Sequence, residues 1–143
     1  MKGLYLCFFL GLLAISNSAI AQTSGEKVTA AQKAAESWLV LIDGDKYGES
    51  WEQAAETFRS AVAKEKWEGM VGSVRDQIGK SKSRKLIRAE YTTKLPNAPA
   101  GEYVLIQYDS SFEKADAAIE TVVPMREKNG EWKVSGYFVK PKQ

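Results

Sequence analysis

The chain contains no histidine and a single cysteine in 143 residues. Without imidazole it can build neither a Ser-His-Asp nor a Cys-His nucleophile, nor a histidine-based zinc centre. The lone cysteine, Cys7, sits in an apolar N-terminal run, so the rest of the chain has no disulfide staple and no thiol nucleophile. Neither charge sign dominates: 20 Lys+Arg against 18 Asp+Glu leave a formal charge of +2. That balance lacks the basic footprint of a dedicated nucleic-acid binder, and no nucleic-acid partner is expected. G-x-S-x-G, P-loop and G-x-G-x-x-G motifs are also missing, which removes the common hydrolase and nucleotide signatures. No cofactor, metal set or catalytic residue is expected from motifs.

What is present begins with a leader. Lys2 precedes an apolar run from Leu4 to Ile15, followed by Ser16-Asn17-Ser18 and the A-x-A triplet Ala19-Ile20-Ala21 ahead of Gln22. The run is shorter than the ~20 residues a spanning helix needs. The pattern predicts a signal peptide over 1–21, cleaved after Ala21, and a protein of the periplasm or secreted beyond it. Cys7 leaves with the leader, and no transmembrane segment remains. Residues 22–143 are then expected to form a single α+β domain, stabilised by core packing alone.

Residues 27–79 carry helical periodicity. Ala31, Ala35, Trp38, Leu39 and Ile42 share one face of a first helix that stops at Gly44. Tyr47, Trp51 and Phe58 mark a second helix with Ser50 as an N-cap, and Trp67, Met70, Val71, Val74 and Ile78 a third. After the basic stretch Lys80-Ser81-Lys82-Ser83-Arg84, read as a linker, the period changes to two. Ile87, Ala89 and Tyr91 share a face of the first strand, Val104, Ile106, Tyr108 and Phe112 of the second, and Ile119, Thr121, Val123 and Met125 of the third. Pro124 predicts a bulge or a local edge, and Asn129-Gly130 a two-residue hairpin turn into Trp132, Val134 and Phe138. With no strand–helix–strand alternation, the expected architecture is three N-terminal helices packed on one face of a four-stranded antiparallel sheet. Its core should hold Trp38, Trp51, Trp67, Ile106, Val123, Val134 and Phe138.

Candidate chemistries are sparse. Asp43-Gly44-Asp45 resembles the start of a calcium loop, but Ala54 stands where the bidentate glutamate belongs, so a helix-ending turn is the better reading. Glu90 and Glu120 are expected to point away from the core as solvated carboxylates. The basic residues from Lys80 to Arg88 lack interleaved aromatics and read as a solvated tract. Trp38, Trp51, Tyr91 and Tyr108 are the candidates for lining a pocket for a small apolar ligand between helices and sheet. Tyr103, Leu105, Tyr137 and Val139 fall on positions facing away from the helices, an apolar surface that predicts a weak homodimer or a periplasmic protein partner.

The run Ser37-Trp38-Leu39-Val40-Leu41-Ile42-Asp43-Gly44-Asp45-Lys46-Tyr47, with Ser50-Trp51 and Trp67, resembles the bacterial exported family called domain of unknown function 4019. So do Arg84-Lys85-Leu86, Glu90-Tyr91, the loop Leu95-Pro96-Asn97-Ala98-Pro99-Ala100-Gly101-Glu102-Tyr103, Glu120-Thr121-Val122 and Trp132-Lys133-Val134-Ser135-Gly136-Tyr137. Asn97 and Ala100 stand where that family more typically has Gly and Asp, which bears on the turn of the loop. The resemblance implies no transferable activity. Its helix-then-sheet order is similar to cystatin-like cones, the class that includes nuclear transport factor two-like domains, an analogy of fold only. Two function classes follow: an exported non-enzymatic binding or interaction domain, and a cone-fold acid/base enzyme using a buried carboxylate and a tyrosine. Asp109 with Tyr108 or Tyr91 is the set the enzyme would use.

Overall fold

The computed structural model describes residues 22–143, so the leader and its cleavage point lie outside the described residues. Helix α1 (Ser24–Asp43) opens on a capping box. Thr23 Oγ1 accepts from the Glu26 amide, and the Glu26 carboxylate accepts from the Thr23 amide. The buried stripe is the expected one, Ala31, Ala35, Trp38, Leu39 and Ile42, and Gly44 caps its end. The two small alanines, both fully buried, let the helix lie close against the sheet.

The second helical segment divides into two. Helices α2 (Tyr47–Glu52) and α3 (Glu56–Ala61) are separated at Ala54-Ala55, because the Ala55 amide donates to the Val134 carbonyl of the sheet at 2.8 Å. The helical layer therefore holds four helices rather than three. Ser50 is not an N-cap but a buried residue of α2. Its carbonyl accepts from Trp38 Nε1 at 2.8 Å, and its hydroxyl accepts from Trp67 Nε1 at 3.0 Å. Helix α4 (Lys64–Ile78) buries Trp67, Val71 and Arg75 at four-residue steps. Met70 and Val74, expected in that stripe, face outward at 53% and 40% exposure.

Strands β1 (Ser81–Thr92), β2 (Tyr103–Phe112), β3 (Ala115–Arg126) and β4 (Trp132–Pro141) form an antiparallel meander in the order β1-β2-β3-β4. This is an α+β fold, with the helices N-terminal to the sheet. The stretch read as a basic linker is instead the first part of β1. A bulge between Leu86 and Arg88 inserts Ile87 and turns it outward, so Arg84 and Leu86 share the helix-facing side with Ala89 and Tyr91. The main core joins α1 and α4 to Val104, Ile106, Tyr108, Val122, Trp132 and Val134.

Two features of β3 and β4 correct the expected faces. The β3 residues that meet the helices are Ala118, Glu120, Val122 and Pro124, paired through Ile106↔Val122 and Tyr108↔Glu120. Val123 and Met125 lie on the opposite face, where they form a second buried cluster with Tyr103 and Ala55 under Leu95 and Ala98. In β4 the pairing steps from Pro124↔Val134 to Val123↔Gly136, leaving Ser135 as the extra residue, which is the irregularity Pro124 led one to expect. The insertion exchanges the faces beyond it. Tyr137 turns to the helices, and Phe138, expected in the core, is 64% exposed. The turn before β4 also differs from the expected two residues. Glu127 and Glu131 pair through the backbone around Lys128-Asn129-Gly130, and Gly130 takes φ +88°, which completes a three-residue loop.

Candidate functional site

The largely apolar cleft lies between α3, α4 and the loop joining β1 to β2, with the β4 bulge as its floor. Phe58 and Val62 come from the α3 end, Trp67 and Met70 from α4, Leu95 to Pro99 from the loop, and Ser135 to Phe138 from β4. Its volume is about 560 Å³, within the range of small-molecule sites. None of its sixteen lining residues carries a charge. The walls are held rigid from behind. Phe58 meets Trp67 edge-on at 5.1 Å, Tyr137 meets Trp38 edge-on at 5.4 Å, and the Tyr103 hydroxyl pins the loop by donating to the Pro99 carbonyl at 2.7 Å. A Cβ at Gly136 would lie 3.3 Å from the Phe138 ring, so a side chain there would push that ring aside by a few tenths of an ångström.

Behind Tyr137 lies a buried ionic network. Glu120 is fully buried and takes Arg84 Nε at 2.5 Å and Nη2 at 3.2 Å, Ser110 Oγ at 3.1 Å and the Tyr137 hydroxyl at 2.5 Å. Arg84 reaches on to Asp43 at 2.9 Å and 3.1 Å, and Asp43 also accepts from Arg75 at 2.6 Å. The Arg75 guanidinium carbon sits 5.1 Å from the Phe112 ring centroid. Two arginines thus balance two carboxylates. Burial alone would raise the Asp43 carboxyl; Arg84 and Arg75 outweigh it and hold it below its ordinary value. Burial, reinforced by the Glu120 charge, pushes the Tyr137 phenol up, so it remains a neutral donor at physiological pH.

This geometry corrects several expectations. Glu120 is not a solvated outer carboxylate beside Glu90; it faces the helices, while Glu90 is exposed on β1 and pairs with Arg88. Arg84 belongs to the core network rather than to a solvated tract, and Asp43 stands at the helix-ending turn, where it accepts from Arg84 and Arg75. Asp109 and Tyr108 are consecutive in β2 and point to opposite faces. Asp109 pairs with Lys142 at 2.5 Å, and the Tyr108 hydroxyl is buried without a protein partner, its pKa pushed up to about 12 by burial. They do not form an acid/base pair. Trp38 and Tyr108 are core residues, Trp51 donates to the Val62 carbonyl at 2.7 Å, and Tyr91 serves a separate network, so these four do not gather around the cleft. The expected outward patch is also not assembled. Tyr103 is buried under the β1–β2 loop, Tyr137 faces the helices, and Leu105 and Val139 are half-buried. Of the aromatic and thioether walls of the cleft, Trp67 and Phe138 carry a core expectation from the sequence, and Phe58 and Met70 fall on apolar helical stripes.

Tyr91 and Glu102 anchor the start of α1 to the sheet. Glu102 accepts from Lys27, from the Tyr91 hydroxyl at 2.7 Å and from Arg126 at 3.1 Å. The Lys27 hydrogen bond, more than any other contact, lowers its pKa from 4.5 to about 2. A carboxyl depressed in the folded state contributes stability above its unfolded pKa and loses it as pH falls through the folded one. Urea midpoints should therefore decline between pH 4.5 and about 2. Glu102→Gln should flatten part of that slope, and an unaltered slope would remove Glu102 from the network's acid response.

Four helices over an antiparallel meander, with an uncharged cleft of small-molecule size beside a bulged edge strand, define an α+β domain with an accessible, largely apolar site. The chain belongs to the family described as Protein of unknown function (DUF4019), which it matches over residues 34–137. That span runs from the middle of α1 to Tyr137 and contains every wall of the cleft except Phe138. A comparison with curated proteins finds no match. No helix among the described residues is long and apolar enough to cross a membrane.

Proposed function

We propose that this chain is an exported, non-enzymatic binding domain that takes a small apolar molecule into the cleft between α3, α4 and the β1–β2 loop. The observation that carries this reading is the uncharged lining around Phe58, Trp67, Met70, Tyr103 and Phe138. General acid–base catalysis needs a titratable group free to exchange a proton with its substrate, and the two tyrosine hydroxyls of the lining are donated to the Pro99 carbonyl and to Glu120. Asp109 and Tyr108, the set of the acid/base reading, lie on opposite faces of β2, and the buried carboxylate behind the cleft, Glu120, is already bonded to Tyr137 and to Arg84. The leader pattern over 1–21 supports export to the periplasm or beyond. Association through the outer sheet face has weaker support, because the loop from Leu95 to Ala98 already covers Tyr103.

Titration of the mature chain with Nile red, an uncharged apolar fluorophore, tests the proposal. Saturable one-to-one binding is expected, weakened about tenfold or more by Phe138→Glu at the mouth. Phe138 is mostly exposed, so that variant should keep its unfolding midpoint. Equal binding by the wild type and Phe138→Glu would overturn the assignment.

A further inference from the structure

The polar atoms around the cleft say what kind of head group its occupant carries. Those inside are already engaged: Trp67 Nε1 on Ser50, the Tyr103 hydroxyl on the Pro99 carbonyl, the Tyr137 hydroxyl on Glu120, and Ser135 Oγ on the Val123 carbonyl. The side-chain donors of the interior are therefore all spent, and none is left for a ligand's acceptor. The rim is exposed at Thr57, Met70, Asn97, Pro99 and Phe138, and it too carries no charge. The Glu120 charge behind Tyr137 is already matched by Arg84.

We propose that the cleft selects an uncharged amphiphile, with an apolar body inside and a hydroxyl- or amide-type head at the Asn97 side chain. This rests on the cleft being a binding site. A carboxylate or ammonium at this rim meets no counter-charge among the lining residues, whereas a neutral hydroxyl or amide head finds a side-chain amide that both donates and accepts. Asn97 holds φ +59°, a left-handed conformation that asparagine and aspartate tolerate, and the Tyr103 hydroxyl fixes the loop two residues on.

A matched set with one apolar body separates head from tail: 1-decanol, decanoate and decylammonium, all below their micellar concentrations. Binding to the mature chain is followed by intrinsic tryptophan fluorescence, with Trp67→Phe as the control for signal origin. Decanol is expected to bind about tenfold tighter than either ion. Asn97→Asp should favour decylammonium over decanoate by a similar factor, because it places one negative charge on the rim. Equal affinity for all three would overturn the neutral-head inference and leave the cleft as a general apolar site. Binding by none of them, together with failure of Nile red, would overturn the cleft reading itself. An unchanged order in Asn97→Asp would remove Asn97 from the head-group position.

Discussion

Replacing Glu120 by Gln should cost about 3–5 kcal/mol of folding stability, read as a lowered midpoint in chemical denaturation. The glutamate is fully buried and takes three donors, Arg84, Ser110 and Tyr137. Glutamine keeps the volume but removes one of the two carboxylate charges, with Asp43, that hold the Arg84 guanidinium in place. Its amide also turns a donor toward a neighbourhood already full of donors. The loss comes mainly from the partner left behind rather than from the attraction of the pair, and this can be tested separately. Arg84→Met with Glu120→Leu, which removes both charges, should recover most of the stability that Glu120→Gln loses, since apolar replacement of a whole buried pair is often neutral or better. A cost for Glu120→Gln within about 1 kcal/mol, the range of exposed pairs, would mean that Arg84 reaches water when its partner is removed.

Trp67→Ala should cost about 3–5 kcal/mol as well, by a different route. Trp67 is 6% exposed, packs edge-on against Phe58 at 5.1 Å and lies 6.0 Å from Trp38, and its indole donates to the buried Ser50 hydroxyl. Truncation empties a large volume at the junction of α1, α2 and α4. Trp67→Phe should lose less, because it keeps the ring against Phe58 and sacrifices chiefly the hydrogen bond. Midpoints of the two variants that coincide with the wild type would place Trp67 outside the cooperative core. A destabilised Trp67→Ala that still binds Nile red normally would leave Trp67 structural and take it out of the ligand-contacting wall.

The order of elements was legible because helix and strand periods differ and the sequence keeps them apart. Even the cap at the start of α1 is written locally, since Thr23-Ser24-Gly25-Glu26 has the spacing of a capping box, although the periodicity becomes clear only from residue 27. Which face each strand residue takes was less legible. Alternation assigns faces only while the count stays even, and single-residue bulges at Ile87 and Ser135 reset it. In β3 the run Val122-Val123-Pro124-Met125 is buried on both faces, so hydrophobicity alone gives no direction. Glu120 looked solvated because its counter-ion Arg84 lies 36 residues earlier, inside a basic tract that reads as surface. The cleft has no local signal at all. Its walls come from an apolar loop, two helices and the floor of a bulge, and only the fold brings them together.

The hydrogen bond from the Ala55 amide to the Val134 carbonyl has a consequence for how copies of this domain can stack. Open-ended growth of sheet on sheet requires two free edges on every molecule. The β4 edge cannot accept an incoming strand at Val134 without displacing the α2–α3 joint. The opposite edge of the sheet, β1, is twelve residues long, carries exposed Lys82, Lys85 and Arg88 and is bulged at Ile87. A second copy meeting β1 edge to edge would bring two such stretches together. Edge-to-edge stacking of the native domain is therefore hindered at both edges, by the α2–α3 joint at Val134 on one and by a bulge and exposed cations on the other.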